Sequence, residues 1–235
     1  MSRRTVVLAD RAWTWDYGIA RALFVRLDDG ALVVVSPPSG MCDAGWAEVE
    51  AMGTVRWLVA PNHFHTGGLA AWSARYPEAH VVAEDAAHAR LRKVVPGLVV
   101  EGMATCREAM PPWVSLLAVP YARQGEVAVS LEGARRVWFV VDAIVFETHL
   151  TGLRGLLFRL LGFRTRLQRN PIFWTLFVSD RAGACAWWRS RLQEAAPDVF
   201  VPSHGRWIED GAAGALRALF VDGRPRLPGA LGGSE

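Results

Sequence analysis

The chain has 235 residues, is 51% hydrophobic and carries a net charge of +3, so it has ample length to bury a core as one large domain or two closely packed halves. No segment approaches the roughly eighteen apolar residues that a membrane span needs, and Ser2-Arg3-Arg4 leads into a run too short for a secretory h-region. All but one of the 26 Lys and Arg residues are arginine (the exception is Lys93), a skew that fits a GC-rich genome, so a pI near 9 is poor evidence for nucleic acid and no nucleic-acid partner is expected.

The elements follow in chain order. Residues 5–9 read as a short strand. Residues 22–27 and 31–35 read as a hairpin joined by the turn residues Asp28-Asp29-Gly30. Ser36-Pro37-Pro38-Ser39-Gly40 breaks the chain, Asp43 is placed to cap a helix running to Met52, and Gly53 ends it. An apolar run over 55–60 reads as a buried strand stopped by Pro61. Next comes Asn62-His63-Phe64-His65-Thr66-Gly67-Gly68, with two histidines at i and i+2 that would point the same way in extended backbone, and then a helix start at Leu69. A strand over 80–83 and a helix over 85–95 complete an alternation that argues for helices packed on a sheet. Strands over 114–119, 127–131 and 136–141, the last ending at Asp142, look like antiparallel neighbours. Residues 180–196 read as a helix, 199–201 as a strand leading into Pro202-Ser203-His204-Gly205, and 212–220 as a last helix; a single domain over 1–222 and a loose tail over 223–235 are expected.

Residues 149–179 are unusual. Leu153, Leu156, Leu157, Leu160 and Leu161 recur at helical spacing among Arg154, Arg159, Arg164, Arg166 and Arg169. One reading is a basic amphipathic helix on a membrane surface or a protein partner. The other, preferred because apolar stripes usually face a core, is a lid or packing helix whose leucines cover the interior. The three cysteines, Cys42, Cys106 and Cys185, are odd in number and widely spaced, which suggests reduced thiols in a cytoplasmic protein.

His65, Asp142 and His204 each follow a predicted strand, so a sheet would gather them at one edge. Two imidazoles and a carboxylate suit one divalent ion, zinc, iron or manganese. The order of these features resembles the metallo-β-lactamase fold superfamily, whose signature is a strand, H-x-H-x-D-H-x-G-G, a later P-G-H, a strand-end Asp and a final strand-end His. His65-Thr66-Gly67-Gly68, Val140-Val141-Asp142 and Pro202-Ser203-His204-Gly205 carry the resemblance over most of the chain. It implies an α+β fold, a four-layer αββα sandwich. In this register the first two family histidines fall on Ala60 and Asn62, the family Asp on Phe64 and the P-G-H histidine on Ala122, so the first metal site loses its histidines while the second keeps His65, Asp142 and His204. A rival register makes His63 and His65 the first pair but needs a deletion before the glycines, and His63 is a candidate fourth ligand under either. The sequence looks most like a branch with a degenerate metal motif and no settled activity, and a dinuclear β-lactamase, nuclease or glyoxalase II reading is not supported.

Glu126, near Arg123, is a candidate general base or extra ligand, with a surface ion pair or a loop brace as the plain alternative. His149 could reach the site if 149–179 is a lid. Most of the eleven tryptophans, Trp13, Trp15, Trp113 and Trp174 among them, are expected in the core. Two functions stay open. One is a mononuclear hydrolase of a small-molecule ester, thioester or lactone, with Asp142 and Glu126 as catalytic residues and residues 149–179 shaping an apolar pocket. The other is a metal-free binding or structural protein on the same fold.

Overall fold

A computed structural model of the chain describes residues 4–8, 11–147 and 150–221; His149 and the expected tail over 223–235 lie outside them. The first sheet takes its seven strands in chain order: β1 (Arg4–Leu8), β2 (Ala12–Tyr17), β3 (Ala20–Arg26), β4 (Ala31–Val35), β5 (Thr54–Val59), β6 (His80–Ala83) and β7 (Glu101–Gly102). β1 to β4 pair antiparallel in sequence. From β4 onward the pairs are parallel, because helices α1 (Asp43–Met52), α2 (Leu69–Arg75) and α3 (Asp85–Val94) make the crossovers. A short α4 (Met103–Glu108) leads to the second sheet, where β8 (Val114–Ala118), β9 (Val127–Leu131) and β10 (Val137–Val140) form an antiparallel meander. A small hairpin of β11 (Ile144–Phe146) and β12 (Leu167–Arg169) brackets α5 (Gly152–Leu160). After α6 (Arg181–Glu194), β13 (Val199–Pro202) pairs parallel to β10, and α7 (Ala212–Phe220) follows.

Alternating side chains sort the core into three apolar layers, and four layers of structure result. Val33, Val35, Trp57 and Val59 of the first sheet meet Leu116, Val129, Phe139 and Val201 of the second. On the outer side of the first sheet, Phe24, Leu32, Val34 and Leu58 pack against Val49 of α1, Trp72 of α2 and Leu91 of α3. On the outer side of the second, Trp138, Val140 and Phe200 pack against Trp188 of α6 and Leu216 and Phe220 of α7. The architecture is αββα, as the resemblance implied. Trp13, Trp15 and Trp174 are core residues and Trp113 is half-buried.

Three details differ from the sequence reading. Asp43 is the first residue of α1, not its cap; Cys42 holds that position and makes no side-chain capping bond. β2, β7, α4 and the β11–β12 hairpin were not anticipated. Residues 149–179 are not one packing helix. Gly162, at φ +93°, turns the chain after α5, β12 pairs back on β11, and a π-helical turn occupies Phe173–Phe177. The leucine side of α5 faces solvent, so it does not cover the core, and Leu160 lines a surface pocket with Leu150, Arg159, Arg164 and Thr165.

Candidate metal centre

Parallel pairing brings the three candidate ligands to one rim. Val140 is in register with Pro202, so Asp142 and His204 emerge side by side, each two residues beyond its partner strand position. On the facing sheet β5 ends at Val59 and the chain runs through Pro61, whose carbonyl accepts from Val127 N (2.7 Å), tying the histidine loop to the second half. Asn62 Oδ1 then accepts from Phe64 N (2.8 Å) and His65 N (3.2 Å), an Asx turn that aims His65 at the rim. Because this loop turns, the rule for alternate residues in extended backbone does not apply to it, and His63 does not join His65. Its ring packs on Phe64 and Phe177 instead, at centroid separations of 4.2 and 6.2 Å.

Arg21 clamps the third ligand loop across the two sheets. Its Nη1 donates to the carbonyls of Pro202 (2.7 Å) and Gly205 (3.2 Å), and its backbone N–H and C=O both bond Ser203 Oγ. Gly205 has φ +97°, and a Cβ there would lie 1.9 Å from the Phe146 carbonyl oxygen, so only glycine fits beside His204.

The ligand atoms converge. His204 Nε2 lies 3.2 Å from His65 Nε2 and 3.2 Å from Asp142 Oδ1, and His65 Nε2 lies 3.6 Å from the same oxygen. The outer nitrogens are engaged. His204 Nδ1 lies 3.0 Å from the Ile19 carbonyl, which can only accept, so that nitrogen carries the proton and a neutral ring turns its Nε2 lone pair inward. His65 Nδ1 meets Ser36 Oγ at 2.7 Å, and Ser36 Oγ meets the Tyr17 hydroxyl at 2.6 Å. Ser36 is fully buried and sits at φ +58°, a left-handed conformation uncommon for serine that this hydroxyl chain accompanies.

Behind the rim lies a buried polar brace. Glu126 is completely buried; its Oε1 accepts from Asp142 N (2.6 Å) and Ala143 N (2.9 Å), and its Oε2 from Asn62 Nδ2 (2.7 Å). The same Asn62 amide donates to Asp142 Oδ2 (2.8 Å), leaving Oδ1 to face the histidines. Glu126 is therefore a buried brace, not a surface partner of Arg123, which is exposed; its two oxygens are engaged by Asp142 N, Ala143 N and Asn62 Nδ2.

The charges follow this geometry. Burial, then the Asp142 charge, pushes Glu126 up to about 8, against its three N–H donors. Burial alone would raise Asp142, but the His65 and His204 imidazoles reverse that and hold it well below the usual carboxylate range. Burial opposes charging His204, and the hydrogen bond and charge of Asp142 outweigh it, so His204 is raised. Burial, then Arg90, lowers His63.

No protein-family model and no curated protein matches this sequence. Solved structures do. The metal-soaked flavodiiron core of Flv1 from Synechocystis sp. PCC6803 aligns over 93% of this chain with a TM-score of 0.63 at 12% identity, although the chain spans only 60% of that protein. A metallo-β-lactamase from Pontibacter korlensis aligns over 94% of this chain and 99% of its own length, with a TM-score of 0.55 at 14% identity. The chain has the metallo-β-lactamase fold. FIM-1 of Pseudomonas aeruginosa, solved in a mono-zinc form, shares that fold over 93% of this chain and 94% of its own, with a TM-score of 0.60 at 13% identity. Against this fold's signature, Asn62 occupies a family histidine position in the sequence register and here bridges two carboxylates, while Phe64, at the family Asp position, is half-exposed.

Sequence reasoning named His65, Asp142 and His204, which the structure brings together, and missed Asn62, Ser36 and Tyr17, which hydrogen-bond around them. Ser36 had a signal: the Ser-Pro-Pro break directly follows β4, the parallel neighbour of β5, so it had to lie at the same rim. Tyr17 ends β2, which was not anticipated, and Asn62 was visible only as a departure from the motif.

Proposed function

We propose that His65, Asp142 and His204 hold one divalent metal ion, zinc, iron or manganese, and that the centre hydrolyses a small-molecule ester, thioester or lactone. The observation that carries this is the convergence of two Nε2 atoms and one carboxylate oxygen at 3.2, 3.2 and 3.6 Å. Bonds of about 2.0–2.1 Å in a tetrahedral shell put ligand atoms about 3.3 Å apart, so the donor set fits such an ion before it arrives. Three acceptors facing one another also need a positive charge between them. A metal held there supplies Lewis acidity and a source of hydroxide near neutral pH.

The chain's own residues do the rest. The Ile19 carbonyl and the Ser36 hydroxyl hold the imidazoles in the orientation that turns Nε2 inward. Asn62 occupies one Asp142 oxygen, and Glu126 fixes the backbone on either side of it. Phe64, packed at 5.0 Å on Phe177, gives an apolar acyl group a surface beside the His65 loop. FIM-1 shows that this fold can be found with a single zinc, which supports one ion here. A cytoplasmic setting belongs to the same reading, supported by Cys42, Cys106 and Cys185, all free thiols.

One observation favours a metal-free reading. His204, raised by Asp142, can supply the missing positive charge itself as an imidazolium, which would make the trio an ion pair on an inert fold. Initial rates on aryl esters, thioesters and lactones separate the two. Hydrolysis that disappears after chelation, returns with Zn(II), Fe(II) or Mn(II), and is absent in His204→Ala supports the hydrolase. Rates untouched by stripping and by that substitution count against it.

A further inference from the structure

Helix α5 inverts the usual arrangement of an amphipathic helix. Gly155 is buried, and a Cβ there would come within 2.1 Å of the Leu150 carbonyl carbon, so the helix lies against the body on its glycine side. Phe158 packs beside it with Val145, Leu150 and Phe163. At 3.6 residues per turn, Leu153, Leu156, Leu157 and Leu160 sweep an arc of about 100° whose centre lies about 150° from Gly155. All four are exposed, at 84%, 53%, 55% and 78%, and Leu161 continues the ridge at 46%. A ridge of five leucines in solvent is what a docking surface looks like before its partner arrives.

The charges around the ridge say what covers it. Residues 148–179 hold five arginines and no aspartate or glutamate. Arg159, Arg164 and Arg166 are exposed, and among the described residues none forms an ion pair with an acidic side chain. Arg159 flanks the leucine arc, where a long cationic side chain lies along an apolar face and lifts its head toward phosphates. Arg164 Nη1 donates to the Arg159 and Phe163 carbonyls, stabilising the carboxyl end of the helix and adding positive charge there. A second copy docking across a two-fold axis would set arginines against arginines. An exposed apolar ridge flanked by arginines that pair with no acidic side chain among the described residues matches the interface of an anionic lipid bilayer.

We infer that α5 docks the protein on anionic membrane surfaces, with its leucines in the acyl boundary and its arginines at the phosphates. This surface stands apart from the metal centre, and a chain that binds no metal would still dock. The test is co-sedimentation of the full chain with phosphatidylcholine vesicles, with and without phosphatidylserine, at low and high salt, alongside sedimentation velocity without lipid. The expected result is binding to the anionic vesicles that weakens with salt, falls about tenfold or more in Leu157→Asp and in Arg159→Glu, and persists in Val99→Asp, which places a charge at an exposed apolar site elsewhere. Far-UV circular dichroism identical to wild type shows that the variants fold. Equal binding to neutral vesicles overturns the inference. So does no vesicle binding, whether the ridge then proves to pair copies of the chain (self-association lost in Leu157→Asp), to take a protein partner, or to take nothing.

Discussion

The candidate metal centre and helix α5 break the same rule in opposite directions. At the centre, Asn62 and Glu126 are wholly buried polar side chains and His65 nearly so; at α5, five leucines stand in water. The first inversion is stable in itself, because Glu126 and Asn62 find donors and acceptors within 2.6–3.2 Å and leave no lone carboxylate in the interior. The second gains nothing within the chain. The buried polar groups of this brace are accounted for by their neighbours in the fold, whereas the exposed leucines point to something beyond it.

This contrast can be broken most sharply at Glu126. Glu126→Ala strands two backbone N–H groups and the Asn62 amide, so the chain should lose about 3 kcal/mol or more in urea unfolding. Asn62→Ala acts on the ligand instead: with Asp142 Oδ2 released, metal affinity measured by competition with a chromophoric chelator should fall about 10- to 100-fold. Gly155→Ala tests the inner side of α5; the added methyl meets the Leu150 backbone, and thermal unfolding should show a loss of about 1–3 kcal/mol. On the outer side of the same helix, Leu157→Ser should change stability by no more than about 0.5 kcal/mol. A large loss there would mean that the leucines pack against the protein after all.

The pH dependence sharpens the centre further. His204 is raised in the folded chain, so without metal its contribution is full below about 6.5 and fades as pH rises through its folded value. Asp142 is depressed, so its contribution is present above about 3.9 and is lost as pH falls through its folded value. Metal needs both imidazoles neutral, so the rise in melting temperature on adding zinc should grow across roughly pH 6 to 9, the range in which the metal-free chain weakens. A rise that stays constant or shrinks with pH would put zinc somewhere other than these histidines.

The strands and helices were legible because short apolar runs such as 31–35 and 127–131 and helix stops such as Gly53 are local signals, whereas their arrangement in four layers was implied by the resemblance and not by those signals. The candidate ligands were legible because each follows a strand in the sequence. The brace was not, because Asn62, Glu126 and Asp142 meet across 64 and 80 positions of sequence, and no local pattern records a hydrogen bond of that span. The orientation of α5 was misread for a related reason. Helical spacing shows that the leucines share one face, but only the tight approach of Gly155 to Leu150 decides which face looks inward.

The central claim is that one metal ion sits among His65, Asp142 and His204. Elemental analysis of protein purified without a metal-binding tag, after soaking in Zn(II), Fe(II) or Mn(II) and removal of the excess, measures it directly. About one equivalent in the wild type, falling to about a tenth or less in His65→Ala and in His204→Ala, is the predicted result. A wild-type content no higher than that of the two variants would contradict it.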